Sequence, residues 1–266
     1  MNKFENKNIL VTGAASGIGE AISYQLALVG ANLFLMDRNM ENLSIVRDKC
    51  NKIRVNASTT QLFYVDFSDT ASIDHVVAEL TGGELSFDYI FLNAGVSQRA
   101  LTLETDFEVD RKIMEVNYFG PVYLIKKLSG MFAIGRPVHL VVTTSISGLF
   151  GFPLRSAYCA SKHALFGFFE SLALENEHIK VTFLIPGRIN TSISKSAILA
   201  DGTTYAKMDS GQADGMDVNT CARIALRAVA KGKRRKLIGG KELLMVYIKK
   251  FIPPLFYSLA KKISAT

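Results

Sequence analysis

Cysteine is scarce and scattered: Cys50, Cys159 and Cys221 stand far apart, with no CxxC pair and no Cys/His cluster. That spacing excludes a disulfide framework and a zinc site, and predicts buried, reduced thiols and no bound metal. Long apolar runs are missing too, so no membrane-spanning helix is predicted. The opening stretch Met1-Asn2-Lys3-Phe4-Glu5-Asn6-Lys7 lacks the basic-then-apolar layout of a signal peptide, which reads as a soluble, cytoplasmic chain. Repeats and linkers are absent as well, leaving one domain over residues 1–266. A core of that size needs no disulfide or metal to hold it.

Acids are missing from one place in particular. The net charge is +7, yet residues 231–266 hold ten lysines and arginines against the single acid Glu242, and the first 230 residues come to −2. The excess belongs to the C-terminus, which argues against a nucleic-acid-binding body. Hydrophobic residues at 48% and charged residues at 21% describe an ordinary globular chain rather than a disordered one.

What is present has a βαβ rhythm. Apolar runs at Ile9–Val11, Asn32–Met36, Leu62–Val65, Tyr89–Leu92, Val138–Thr143 and Val181–Ile185 read as strands. Between them, helices are predicted over Gly19–Val29, around Leu43 and Val46, and over Ile73–Leu80, Val109–Phe132 and Tyr158–Glu177. Continuous apolar strands separated by helices imply a parallel sheet covered on both faces. Right-handed crossovers then give a doubly wound α/β (Rossmann) fold, with ligands at the C-terminal ends of the strands.

After the first strand comes Thr12-Gly13-Ala14-Ala15-Ser16-Gly17-Ile18-Gly19. Glycines allow a tight turn and close approach of a pyrophosphate, which the following helix meets with its N-terminal amides and positive dipole end. The second strand ends in Met36-Asp37-Arg38. An acid there can accept hydrogen bonds from the adenosine ribose and would repel a 2′-phosphate, which favours NAD. Arg38 beside it could pair with that phosphate, so NADP stays open. Further along, Tyr158-Cys159-Ala160-Ser161-Lys162 puts a phenol and an ammonium on one helix face. A nearby ammonium favours the phenolate, and such a pair can exchange a proton with an alcohol or carbonyl.

These features resemble the short-chain dehydrogenase/reductase family, in its classical branch, from about Asn8 to Thr191. The turn Gly13–Gly19, with Ser16, Gly17 and Ile18, looks like the family's cofactor turn. Asp66, with Phe67, matches the acid that holds the adenine, and Asn93-Ala94-Gly95 matches the segment after the fourth strand. Asn117 matches the helix asparagine that supports a proton-relay water. Ser145, thirteen residues before Tyr158, sits where the family's serine sits, although Thr143, Thr144 and Ser147 are hydroxyl neighbours. Pro186-Gly187, Ile189 and Thr191 match the segment that holds the nicotinamide carboxamide.

The resemblance implies an oxidoreductase moving a hydride between NAD(P)(H) and a secondary alcohol or ketone. Tyr158 would be the acid/base and Ser145 would bond the reacting oxygen. Lys162 would lower the Tyr158 pKa and bind the nicotinamide ribose, and Asn117 would link Lys162 to solvent. Residues 188–217 would form a mobile flap, and copies would join through long helices as a homodimer or homotetramer. The rival readings are a non-catalytic dinucleotide sensor, an epimerase or dehydratase, and a basic adaptor. A sensor needs none of Ser145, Tyr158, Lys162 or Asn117. Phe150, Phe152 and Leu154 suggest an apolar wall for a lipid- or steroid-like substrate, or else packing or subunit contacts. Leu237-Ile238-Gly239-Gly240 looks like the family's last strand. Beyond it, residues 241–266 mix apolar, aromatic and basic side chains, split by Pro253-Pro254, and suit either an anionic membrane surface or a neighbouring subunit.

Overall fold

Seven apolar runs pair side by side into one parallel sheet in the computed structural model, which describes residues 2–81, 85–132 and 137–261. The strands are β1 (Asn8–Thr12), β2 (Asn32–Asp37), β3 (Thr60–Tyr64), β4 (Tyr89–Leu92), β5 (Val138–Thr143), β6 (Ile179–Pro186) and β7 (Arg235–Ile238). Their order across the sheet is β3-β2-β1-β4-β5-β6-β7. Ten α-helices accompany them among the described residues: α1 (Gly17–Ala27), α2 (Met40–Ile53), α3 (Thr70–Thr81), α4 (Phe107–Met114), α5 (Gly120–Leu128), α6 (Ser156–Glu175), α7 (Ser210–Ala213), α8 (Val218–Ala230), α9 (Leu244–Phe251) and α10 (Pro253–Ala260).

The two-residue period of the strands feeds two separate cores. Leu10, Phe34, Met36, Ile90, Leu92, Leu140 and Val142 face one layer, which includes residues of α3, α4, α5 and α6. Their neighbours Ile9, Val11, Leu33, Leu35, Phe91 and Val141 face the other, with α1, α2 and α8. In the inner strands β1, β2, β4 and β5 both faces are buried, so these read as nearly unbroken apolar runs, while the edge strands β3 and β7 are partly exposed. This is the doubly wound fold expected from the sequence. Strand order reverses between β1 and β4, which opens a crevice at their C-terminal ends.

Element boundaries shift by a few residues from the expected ones, and one helix differs in kind. The segment read as a single helix over Val109–Phe132 is α4 and α5 joined by a π-helical turn at Glu115–Phe119, with a 3₁₀ turn at Ser129–Met131. Within the π turn the amide of Gly120 reaches back five residues to the Glu115 carbonyl. The last strand is Arg235–Ile238, two residues earlier than expected, because Gly239-Gly240 turns the chain toward α9. All three cysteines are buried free thiols. The end of the basic tail, residues 262–266 with Lys262, lies outside the described residues.

Candidate active site

The crevice is a cleft of about 510 Å³, and every site residue predicted from the sequence lines it except Gly19 and Asn117. Its first wall is the turn after β1. Gly13 and Gly17 adopt φ of +64° and +58°, a conformation that side chains with a Cβ strain to reach. Gly19 is needed for packing instead: a Cβ there would stand 2.2 Å from the Gly13 carbonyl oxygen. Ser16 begins α1 without capping it through its side chain, so the first-turn amides are left to an acceptor in the cleft.

Asp37 closes β2 with its carboxylate fixed from two sides. It accepts from the Ala15 amide at 3.1 Å and from the Asn39 amide at 3.0 Å. Asp66 accepts from the Ser68 amide at 2.9 Å and from the Ser68 hydroxyl at 2.6 Å. Burial works against the Asp66 charge, but the Ser68 bonds and the Arg38 guanidinium hold its carboxyl below the usual range. Arg38 thus acts on Asp66 from the same rim. The amides of Asn93 and Ala94 both donate to the Thr12 hydroxyl, at 3.0 and 3.1 Å, which locks the end of β4 to β1.

At the far end, Tyr158, Ser145 and Lys162 converge, all buried. Ser145 follows β5 and Tyr158 and Lys162 stand one turn apart on α6. Burial pushes the Tyr158 phenol up; a hydrogen bond with Ser145 and the charges of Arg155 and Arg99 pull it back. Lys162, expected to supply that charge, has its ammonium 5.9 Å from the centre of the Tyr158 ring and donates to the Thr143 carbonyl at 3.0 Å. Burial lowers its own pKa to about 8. The Arg155 and Arg99 guanidinium groups thus add positive charge beside the phenol. The Thr143 hydroxyl, which also lines the cleft, is buried with no hydrogen-bond partner among the described residues.

Asn117 lies behind the cleft wall in the π turn. Its side chain accepts from the Val96 amide at 2.8 Å and donates to the Val96 carbonyl at 2.9 Å and the Ser161 hydroxyl at 3.0 Å. All its polar atoms are used in tying the helix to the β4 loop and α6. In this structure the Asn117 side chain sets position. Gly95 makes room for it, since a Cβ there would meet Asn117 Oδ1 at 3.0 Å and Lys162 Nζ at 3.3 Å.

Sequence reasoning missed the charged cluster beside Tyr158. Arg99, after β4, holds Asp209 through Nε at 3.0 and 3.3 Å and through Nη2 as well, and their side chains are 2% and 4% exposed. Arg155, at the start of α6, reaches the same carboxylate at 3.4 Å. Asp209 belongs to the expected flap, so the cluster clamps that segment against the body. A second cleft of about 330 Å³ opens past Ser145 and Arg155, with Phe150, Phe152 and Met245 as its apolar wall. Leu154, grouped with those phenylalanines in the sequence, does not line it; φ of +61° places it in a tight turn before α6.

Fold and cleft together define a Rossmann-type oxidoreductase. A model of the short chain dehydrogenase family matches residues 7–201. Relatives include dehydrogenase/reductase SDR family member 7B of Mus musculus, 37% identical over 96% of this chain and 80% of that protein. The Xenopus laevis member 7B is 35% identical, covering 94% of this chain and 80% of that protein. The chain belongs to the short chain dehydrogenase family. A Burkholderia phymatum short chain dehydrogenase/reductase, solved with NAD, shares the fold at a TM-score of 0.81 and 22% identity, over 96% of both chains. A Shigella flexneri short chain dehydrogenase, solved with NADP, gives 0.75 at 24% identity, over 88% of this chain and 96% of that one.

Proposed function

We propose that the protein is an NAD(P)-dependent oxidoreductase that interconverts a secondary alcohol and a ketone, with Tyr158 exchanging the proton on the substrate oxygen. One observation carries this reading: a buried phenol beside Ser145, flanked by positive charge, stands at the inner end of the cleft. The relatives are named dehydrogenase/reductases, and two structural neighbours were solved with NAD and NADP.

The residues suit a dinucleotide. Uncapped amides of α1 would meet the pyrophosphate, Asp37 the adenosine ribose and Asp66 the adenine, while Asn93-Ala94-Gly95 lets the chain pass close. Lys162 would hold the nicotinamide ribose, and Pro186-Gly187, Ile189 and Thr191 the carboxamide; the unpartnered Thr143 hydroxyl offers a further bond. Bound there, the nicotinamide supplies or accepts the hydride. Ser145 orients the substrate oxygen, and in the reductive direction Tyr158 Oη gives it a proton. Arg155 and Arg99 stabilise the phenolate left behind. Asp209, clamped to Arg99, holds the flap over the reacting atoms and keeps water out. NAD is the preferred form, because Asp37 is fixed by two amides and the Arg38 charge acts on Asp66.

Tyr158→Phe tests the mechanism: turnover falls about 10²- to 10⁴-fold while NADH binding persists. Full turnover by that variant sinks it, and the absence of any fluorescence change with both NADH and NADPH sinks the whole reading. Tighter NADPH would reassign Arg38 as the dominant group. Assembly is proposed as a homodimer or homotetramer, supported by Phe107, Phe119 and Leu174, exposed on and between the long helices. Light scattering that gives a monomer removes it.

A further inference from the structure

The C-terminal helices α9 and α10 are anchored on one side and bare on the other. Inward, Met245, Phe256 and Ala260 are buried with Phe150, and the rings of Phe256 and Phe150 meet at 4.9 Å. The hydroxyl of Tyr257 and the Lys249 ammonium, 2.6 Å apart, join the two helices to each other. Outward, Leu244, Tyr247, Phe251, Ile252, Leu255 and Tyr257 are between 42% and 67% exposed. Leu244, Tyr247 and Phe251 recur at helical spacing, so they share one face of α9. Six large apolar side chains are exposed within fourteen residues, a denser exposure than an ordinary surface carries.

Charge on this element has one sign. Lys241, Lys250 and Lys261 are exposed and Lys249 is partly so. The single acid, Glu242, turns inward and accepts from the amides of Arg188 at 2.8 Å and Gly240 at 3.0 Å. A second copy docking by a two-fold axis would set lysines against lysines. An anionic surface meets no such repulsion. Each helix has eight residues, and among the described residues no helix is long and apolar enough to cross a membrane. Such helices lie flat, with aromatic rings at headgroup depth and lysines reaching the phosphates.

We propose that the outer face of α9 and α10 docks the protein on an anionic bilayer surface. Met245 and Glu242, at the root of α9, also line the second cleft, so docking sets that cleft beside the lipid. The test is flotation of the full chain with phosphatidylcholine vesicles, with and without phosphatidylserine. Binding appears with phosphatidylserine and fades with added salt. The double variant Lys249→Glu/Lys250→Glu binds at least about tenfold more weakly, and Tyr247→Ser/Phe251→Ser does likewise. All three proteins bind NADH equally, which shows that they are folded and separates this proposal from the oxidoreductase reading. No flotation with anionic vesicles, or binding unchanged by both variants, overturns it. So does Tyr247→Ser/Phe251→Ser splitting an oligomer into smaller units without touching lipid binding, since a second copy would then cover the face.

Discussion

Tyr158 is the residue on which opposing influences meet. Burial favours the neutral phenol, while Ser145, Arg155 and Arg99 favour the charged form. Arg155 is itself pushed down to about 10 by burial and by repulsion from Arg99, so the two guanidinium groups share the field with the Asp209 carboxylate between them. Removing a cation raises the phenol's pKa, and removing the anion lowers it. On the proposed mechanism, Arg155→Met moves the acidic limb of alcohol oxidation to higher pH, and Arg155→Lys restores it partly. Asp209→Asn moves the same limb the other way. It also leaves Arg99 buried without its counter-charge, costing roughly 3 kcal/mol of stability, which urea unfolding would register. Unchanged pH profiles in both variants would show that the cluster only clamps the flap. Tyr158 and Lys162 were legible in the sequence because four residues make one helical turn. Arg99 and Asp209 were not, because 110 positions separate them and only the fold brings them together.

At the scale of elements, the inner strands announced themselves and the π turn between α4 and α5 did not. A strand buried on both faces must be apolar at every position, and that leaves an unbroken run to read. A π turn leaves no such trace, since the helical period drifts by one residue and the apolar spacing tolerates it. Here the turn puts Asn117 against Val96 and Ser161, and it brings Gly120 to the loop after β3. A Cβ on Gly120 would lie 2.4 Å from the Phe67 carbonyl oxygen. Backbone cannot swing aside as a long side chain can. Gly120→Ala is therefore expected to cost about 1–3 kcal/mol by overpacking. It should weaken NADH binding too, because Asp66 and Phe67 line the cofactor end of the cleft. A variant with wild-type Tm and wild-type NADH affinity would show that α5 can slide away without consequence.

For the whole molecule, the stability of the sheet against acid turns on a histidine that no functional motif includes. His139 lies on β5, between β4 and β6, and its Nε2 is 2.8 Å from the Thr182 hydroxyl. Thr182 donates its own proton to the Lys233 carbonyl at 2.6 Å, so it accepts from His139, and the neutral ring carries its hydrogen on Nε2. The ring also packs on Tyr89 of β4, centroid to centroid at 5.5 Å. Three strands and the approach to β7 thus meet at one imidazole. Burial, with the Lys180 charge adding to it, lowers the His139 pKa from 6.5 to about 4. Well above pH 6.5 the ring is neutral folded or unfolded and contributes no pH dependence. Below that value the unfolded chain takes up the proton first, and stability drains away until the folded pKa is reached. The full loss is about 3 kcal/mol between those limits. His139→Gln keeps a donor toward Thr182 and does not titrate. Its unfolding free energy, measured by urea from pH 4 to about 8, should fall less steeply than that of the parent protein, with the two curves becoming parallel well above pH 6.5. Curves parallel throughout would mean that the charged imidazole is accommodated in the folded sheet.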